Sequence, residues 1–149
     1  MLGWDVSDFG TGDFASVGLL IFTLRNGSFT DSRYVKPYAE KVLIQAEDQV
    51  LPFHFHWKKR EDIINRGGGN LIIEFANVGP DQEFLDTPVR VSVDGREITV
   101  ERGSTIRLTP GESVTIPPHH YHRFWGERGA GTVLVGEVSS VNDDRVDNY

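Results

Sequence analysis

The five histidines of this chain lie in two short segments, and their spacing is typical of metal ligands. His54 and His56 flank Phe55 in a strand-like run, and successive side chains of a strand point to opposite faces. The two imidazoles therefore share one face, while Phe55 occupies the other. Glu61 comes five residues after His56, beyond a loop that can fold its carboxylate over the same face. This segment predicts one half of a metal site.

The second histidine segment follows the Gly- and Pro-containing residues 111–117 and contains His119, His120 and His122. An isolated histidine is more often a packed core residue, but packing alone does not explain this clustering. Three imidazoles and one carboxylate suit Mn, Fe, Co, Ni or Zn. Four protein ligands on an octahedral ion would leave two positions for substrate oxygens. We therefore predict one divalent ion, held by His54, His56, Glu61 and His122.

The elements that position these residues are predicted to be short strands, because compact apolar runs recur between turn residues. Asp94-Gly95 is a two-residue hairpin signal. Residues 58–65 are predicted as a short helix or irregular loop, and Gly67-Gly68-Gly69 as a tight turn beside the metal loop. The pattern indicates an all-β sandwich or barrel. The predicted strands are residues 19–24, 38–45, 51–57, 70–76, 90–93, 96–100, 104–108, 113–116, 122–125 and 132–138.

Length and composition limit the possible functions. A chain of 149 residues fits one domain, with residues 1–18 as an irregular N-terminal arm and residues 142–149 as an acidic C-terminal tail. The net charge of −7 disfavours nucleic-acid binding. The absence of cysteine excludes disulfides, thiolate nucleophiles and cysteine-ligated metals. No apolar run is long enough to span a bilayer and no signal peptide is visible, so we expect a cytoplasmic location.

Two motifs connect the chain to a known fold. His54-x-His56-x4-Glu61-x6-Gly68 resembles the first cupin motif, and Gly111-x5-Pro117-x4-His122 resembles the second, with His119 where glycine is usual. Over nearly its whole length the chain resembles the D-lyxose isomerase family of cupin-type sugar isomerases. The matching stretches are residues 3–6, 8–10, 38–41, 52–69, 108–113, 121–127 and 136–144. The resemblance implies a single cupin domain, a double-stranded β-helix or jelly-roll barrel.

The same resemblance implies a manganese-dependent aldose–ketose isomerase acting on D-lyxose and D-xylulose, with D-mannose and D-fructose as a second pair. In such a reaction a divalent ion stabilises an enediolate and a nearby base moves the proton. The resemblance places Lys41 and Lys59 in the pocket, where they would bind or polarise sugar oxygens. Either one could instead be a solvated surface lysine. Glu40 and Lys41 face opposite ways on a strand, so only one of them should reach the interior.

Glu137 lies in the middle of a predicted buried strand, where a carboxylate is unfavourable unless it is paired. Burial raises the pKa of a carboxyl group, which suits a proton shuttle, so we predict Glu137 as the general acid/base. A structural ion pair is the alternative. Asp143, Asp144 and Asp147 either close over the pocket or form a solvated tail. Trp57, Phe124 and Trp125 either stack on a sugar or belong to the core.

Two other functions use the same ligands. One is an iron-dependent cupin dioxygenase, and the other is a non-catalytic sugar-binding cupin with the metal as a structural clamp. Cupin barrels frequently pair through edge strands, and the N-terminal segment carries the aromatic residues Trp4 and Phe9. We therefore expect a homodimer.

Overall fold

The chain folds into two antiparallel β-sheets, as seen in a computed structural model that describes residues 2–149 apart from the side chains of Asp144 and Arg145. The strands are β1 (Gly3–Ser7), β2 (Leu19–Arg25), β3 (Tyr38–Gln45), β4 (Val50–His54), β5 (Glu61–Gly68), β6 (Leu71–Val78), β7 (Phe84–Leu85), β8 (Val89–Val93), β9 (Arg96–Val100), β10 (Thr105–Leu108), β11 (Ser113–Ile116), β12 (His120–Gly126) and β13 (Val133–Ser140). The short helix α1 spans Asp144–Asp147. The prediction of an all-β fold is confirmed.

The larger sheet has the strand order β1-β2-β3-β13-β5-β11-β8-β9, and the smaller one has β10-β6-β12-β4 with β7 paired to β6. Non-consecutive neighbours such as β3 and β13 show that the chain repeatedly crosses between the sheets. The inward faces enclose one apolar core, which includes Leu43, Ile63, Ile73, Phe124 and Val135. No helix among the described residues is both long and apolar enough to cross a membrane.

The prediction of a short helix or irregular loop for residues 58–65 was wrong for 61–65, because Glu61–Gly68 form strand β5, whereas residues 58–60 are an irregular loop. Its inward residues include Glu61 and Asn65 with only Ile63 between them. These two polar residues hide the apolar alternation that identifies a half-buried strand. Asn65 is satisfied inside by donating through Nδ2 to the carbonyls of Gly69 and Leu108, both at 2.9 Å.

The glycine run does make a close backbone approach, but it lies at the end of β5 opposite Glu61 rather than beside the metal loop. A Cβ on Gly68 would lie 2.2 Å from the Thr132 carbonyl oxygen, and one on Gly69 would lie 2.2 Å from that of Gly131. The close contact with the segment before β13 therefore requires glycine. The Asp94-Gly95 hairpin is confirmed, with both residues at positive φ between β8 and β9.

Both chain ends differ from the expected arm and tail. Gly3–Ser7 form the edge strand β1, paired with β2, while the following turn is irregular as expected. Asp5 and Ser7 on β1 face the cavity, so the apolar alternation is absent on its inward side. At the other end, Asn148 forms a bridge with His56, and the Asp147 side chain is buried. The C-terminal residues therefore pack on the barrel instead of extending into solvent.

Candidate metal centre

His54, His56, Glu61 and His122 converge at the mouth of the barrel. His54 ends β4 and faces His122 on β12 as its cross-strand partner, with ring centroids 4.1 Å apart. Phe55 points the other way into a second apolar cluster, which leaves His56 directed back to the site. Glu61 enters from the first residue of β5. One potential ligand atom from each of the four residues lies within 4.8 Å of the others.

Backbone carbonyls orient two of these imidazoles. His54 Nδ1 lies 2.9 Å from the Pro52 oxygen, and His122 Nδ1 lies 3.0 Å from the His120 oxygen. Each Nδ1 donates its proton there, so each Nε2 presents a lone pair to the cluster. A metal-binding histidine usually donates the N–H of its other ring nitrogen to an oxygen in this way, which fixes the orientation of the ring.

The inward atoms of the cluster fit a cation. His122 Nε2 lies 2.8 Å from Glu61 Oε1, and His56 Nε2 lies 3.4 Å from the same oxygen. Among the described residues, these three buried atoms make no hydrogen bond. Acceptor atoms that face each other at this distance repel unless positive charge lies between them. The donor set of imidazole nitrogens and a carboxylate oxygen fits a divalent transition metal.

The electrostatics of the cluster keep two of its residues, His54 and Glu61, in forms that can bind a metal. Burial and the neighbouring imidazoles hold the pKa of His54 well below its usual range, so the ring is neutral. Burial alone would raise the pKa of Glu61. The Lys59 ammonium and the nearby imidazoles outweigh burial and hold that pKa well below its usual range. Neutral imidazole and ionised carboxylate are the forms that bind metals.

A chain of buried charges continues from the cluster. Lys59 Nζ lies 2.8 Å from Glu61 Oε2 and 2.9 Å from Glu137 Oε1, and Lys41 Nζ lies 3.2 Å from that same Glu137 oxygen. Lys41 and Glu137 are direct cross-strand partners on β3 and β13. These four residues, Lys41, Lys59, Glu61 and Glu137, are each at most 5% exposed. Lys41 is therefore the inward residue of its pair, and Glu40 pairs with Arg25 outside.

The expected raised pKa of Glu137 was wrong. Burial does act in that direction, but the ammonium groups of Lys41 and Lys59 outweigh it, so the pKa of Glu137 is lowered. The pKa of Lys59 is raised because Glu137 and Glu61 more than offset its burial. Near neutral pH, Glu137 is consequently ionised and Lys59 is protonated. The Glu137 carboxylate can therefore act as a base, and it can act as an acid only after it has received a proton.

A cavity of about 380 Å³ opens onto these groups. The cluster, Lys41, Lys59 and Glu137 line its polar side, while its floor is apolar, formed by residues such as Leu43, Ile63 and Phe124. The volume is near the lower end of the range for small-molecule sites. Its rim includes Asp5, Ser7, Phe9, Asn148 and Tyr149.

Sequence reasoning missed the rim residues. They come from the two chain ends, and no motif connects a terminal residue to the histidine segments. Lys58 is exposed, as expected from the assignment of Lys59 to the pocket. Of the three carboxylates near the C-terminus, Asp147 packs on the loop between β4 and β5, and the Asp144 side chain lies outside the described residues.

The other residues of the histidine segments lie apart from the cluster. His119 takes a left-handed backbone with φ of 59° and stacks on Phe55. His120 Nδ1 lies 2.9 Å from the Pro118 oxygen, and burial lowers the pKa of its ring. Phe124 belongs to the core and also borders the cavity, whereas Trp57 packs edge-on against Phe55. Trp125 lies outside, beneath the Arg123 guanidinium.

The sequence profile of the family described as D-lyxose isomerase matches residues 1–149. The chain is 56% identical over 148 residues to a D-lyxose/D-mannose isomerase of Escherichia coli O157:H7, covering 99% of this chain and 65% of that protein. It is 58% identical over 147 residues to a D-lyxose/D-mannose isomerase of Serratia proteamaculans, covering 99% and 64%. The chain thus spans slightly less than two-thirds of the length of these relatives.

Among solved structures, the fold is similar to that of the L-ribose isomerase of Cellulomonas parahominis in complex with L-psicose. The TM-score is 0.60 at 19% identity, with 90% of this chain and 66% of that chain covered. At this identity the likeness concerns the fold, and it confirms the predicted cupin-type barrel.

Proposed function

The chain belongs to the D-lyxose isomerase family, and on this premise we propose that it is a metal-dependent aldose–ketose isomerase for D-lyxose and D-xylulose. D-Mannose and D-fructose are the proposed second pair, because two relatives are named D-lyxose/D-mannose isomerase. The observation that carries the proposal is the placement of an ionised buried carboxylate, Glu137, next to a four-residue metal cluster in one cavity. A base beside a cation is what proton movement between adjacent sugar carbons requires.

In the proposal, His54, His56, Glu61 and His122 hold one divalent ion, for which we propose manganese. When bound, such an ion polarises the carbonyl and stabilises negative charge that develops on the two sugar oxygens. The donor set also accepts iron, cobalt, nickel and zinc, so the metal requires its own measurement.

Glu137 is the proposed proton-transfer residue. Its carboxylate is ionised because two ammonium groups lower its pKa, so it can accept the proton from one sugar carbon. After it has done so, it carries the proton that the neighbouring carbon needs. Lys41 and Lys59 keep Glu137 in place through Oε1 and stabilise its charge.

Lys41 and Lys59 also have a proposed role toward the substrate. Their ammonium groups line the cavity and carry more donors than Glu137 and Glu61 use. These remaining donors can bind sugar hydroxyl or carbonyl oxygens. The apolar floor formed by Leu43, Ile63 and Phe124 packs against C–H groups and excludes water from the proton path.

The direct test is an isomerase assay on metal-depleted protein reloaded with manganese. D-Lyxose, D-mannose and other aldoses are incubated anaerobically and the ketose is quantified. Product that disappears with a chelator and returns with metal supports the proposal. Running the assay in D₂O and measuring deuterium at C1 of the ketose distinguishes proton transfer, which incorporates solvent deuterium, from hydride shift, which does not.

The same assay separates the alternatives. Saturable sugar binding with bound metal but no ketose would overturn isomerisation and leave a sugar-binding cupin. Product that forms only when the assay is repeated in air with iron-loaded protein would instead indicate a dioxygenase. The cytoplasmic location is also part of the proposal and is tested by fractionating the host cells.

We further propose that the protein is a homodimer that pairs through the outer face of β1, β2 and β3. Trp4 and Val6 on β1 are 65% and 58% exposed, and on the same face Ile44 and Leu134 remain partly uncovered. Contiguous apolar surface of this kind marks an interaction site. In light scattering at micromolar concentration, Trp4→Asp should give a monomer.

The matched control for this interface is Thr99→Asp, at an exposed residue on the outer face of β9, which is the other edge strand of the sheet. It should leave the dimer intact. A wild-type monomer, or a Trp4→Asp protein that remains dimeric, would contradict the proposed interface.

A further inference from the structure

The loop between β4 and β5 carries two residues of the site, yet no β-ladder of the two sheets covers it. His56 and Lys59 lie in residues 55–60, after β4 ends at His54 and before β5 begins at Glu61. Their side chains enter the cavity, so any shift of this loop moves both of them. What fixes the loop therefore determines the geometry of the site.

The C-terminal strap, defined as residues 142–149, covers this loop. Phe55 and Tyr149 exchange backbone hydrogen bonds of 3.2 and 3.0 Å, and His56 forms an antiparallel bridge with Asn148. The Tyr149 ring packs on Phe55 with centroids 5.0 Å apart. At its start the strap is attached to the loop after β2, because the Asn26 amide bonds both the N–H and the carbonyl of Asn142.

Within the strap, Asp147 is the residue that binds several backbone amides of the loop. Three consecutive amides of the loop donate to this one residue. Trp57 N donates to its backbone oxygen at 3.1 Å, Lys58 N to Oδ1 at 2.8 Å and Lys59 N to Oδ2 at 3.0 Å. The residue is 8% exposed, so water competes little for these bonds.

We propose that Asp147 is a positioning residue that holds the backbone of residues 57–59 and thereby keeps Lys59 Nζ between Glu61 and Glu137. The catalytic part of this inference rests on the proposed isomerase function, whereas the holding of the loop does not. Charge-assisted hydrogen bonds from backbone N–H groups to a carboxylate are stronger than neutral ones, which suits an anchor. The position of Lys59 then does not depend on contacts made by its exposed neighbours, and the side chain of Lys58 stays in solvent.

The alternative acceptors for these amides are poor. Removing the carboxylate leaves the N–H groups of Lys58 and Lys59 without acceptors, unless the strap opens to water. Either result loosens the loop on the side of Lys59. An error of about 1 Å in the position of a group that acts on substrate lowers the rate by about a hundredfold.

The test compares Asp147→Ala with Asp147→Asn and with Val146→Ser as the matched control, since Val146 is adjacent and 74% exposed. The first readout is amide hydrogen exchange of the manganese-loaded protein without substrate. Asp147→Ala should accelerate exchange at residues 57–59 by about tenfold or more, with β6 and β12 unchanged. Asp147→Asn, which keeps one carbonyl oxygen, should be intermediate, and Val146→Ser should match wild type.

The second readout is the split between kcat and KM for the sugar. Asp147→Ala should lower kcat by about ten- to a hundredfold with a smaller change in KM, and Asp147→Asn should recover part of kcat. Unchanged exchange at residues 57–59 would overturn the inference. Acceleration throughout the barrel, or faster exchange at 57–59 with full kcat, would overturn it as well.

The two readouts, amide hydrogen exchange and steady-state kinetics, separate this inference from the proposed function. If wild type forms no ketose, the isomerase proposal fails while the exchange measurement still decides whether Asp147 holds the loop. If Asp147→Ala does not fold, Asp147→Asn carries both readouts, and its agreement with Val146→Ser in both would overturn the inference.

Discussion

The neighbouring strands β3 and β13 build both a charged end and an apolar end of the barrel. On β3 and β13 the inward pair Lys41–Glu137 is followed, one pair further along, by Leu43–Val135. The step is two residues, or about 7 Å along a strand. Within that distance the interior changes from a network of buried charges to close-packed side chains that are at most 1% exposed.

This difference separates stability from chemistry. Each fully buried large apolar side chain contributes about 1.5–3 kcal/mol, so the apolar end stabilises the fold. Buried ion pairs contribute little net stability, because desolvation offsets their attraction, although breaking one is costly. The charged end is therefore held in place by the apolar end. Substitutions at the apolar end should lower stability and leave activity nearly unchanged. Those at the charged end should lower activity, and they should lower stability only where they leave a buried charge unpaired.

The largest effect is expected at the metal cluster. His122→Ala should remove metal binding and turnover together, because it deletes a ligand and opens the cluster. Loss of a supporting group alone lowers metal affinity about 10–100-fold, so loss of a ligand should exceed that. Metal content and the isomerase rate, measured on the same preparation, check this.

The control for this variant is His120→Ala on the same strand. The His120 ring bonds Pro118 outside the cluster, and its backbone oxygen, which orients His122, is retained. It should keep metal and activity. If His122→Ala retained both, the cluster would not be the metal site.

The next largest effect is expected for Lys41 and Glu137, the buried ion pair next to the apolar end. Glu137→Leu should lower turnover by about 10²–10⁴-fold, because it removes the proposed proton-transfer group. It should also lower the free energy of unfolding by about 3–5 kcal/mol, because Lys41 is left as an uncompensated buried charge. Urea denaturation and the isomerase assay measure the two effects.

The double variant Lys41→Met/Glu137→Leu separates these contributions. It removes both charges and should recover most of the stability without recovering activity. Lys59 retains Glu61 as its partner at 2.8 Å. A double variant that regained turnover would show that Glu137 serves only as a structural ion pair.

A smaller effect, on stability alone, is expected at the apolar end. Ile73→Ala on β6 should lower the free energy of unfolding by about 2–5 kcal/mol, because Ile73 is 0% exposed in the core. Its side chain does not line the cavity, so kcat should change less than threefold, within about 0.6 kcal/mol. A large fall in kcat at full metal content would show that the two ends are not independent.

The contrast between the ends also explains what could be predicted from the sequence. Strands with at least some apolar inward residues were located accurately, and β3, β9 and β11 begin and end where their patterns predict. Among the segments that were misassigned, β1 and the start of β5 carry Asp5, Ser7 and Glu61 on their inward side. The polarity that makes them part of the cavity is what conceals them as strands.

The candidate site was predictable only where its residues are close in sequence or match a motif. The spacing of His54, His56 and Glu61 places them together, and the second motif adds His122. The contact between Asp147 and the Lys59 amide joins positions 88 residues apart, and no local pattern encodes it. Likewise the lowered pKa of Glu137 depends on Lys41, which the strand register places beside it, and on Lys59, which the loop between β4 and β5 brings into contact.

The smallest effect is expected at His119, which lies at the charged end but takes no part in its network. Its φ of 59° is left-handed, a conformation that costs a non-glycine residue about 1–2 kcal/mol. Its ring stacks on Phe55 at 6.0 Å and lies edge-on to Trp57 at 5.6 Å, which returns about 0.5–1.5 kcal/mol. His119→Gly removes the cost of the left-handed backbone but also loses the ring contacts. The free energy of unfolding should therefore stay within about 1 kcal/mol of wild type.

His119→Ala isolates the backbone term, because it loses the same ring contacts and keeps a Cβ at positive φ. It should be less stable than His119→Gly by about 1 kcal/mol in urea denaturation. Both variants should retain metal and turn over sugar at nearly the wild-type rate, since the backbone bond from His119 N to the His56 oxygen at 2.9 Å persists. Equal stability of the two would show that the turn is not strained. A large loss of turnover in either variant would show that this turn also contributes to the chemistry at the charged end of the barrel.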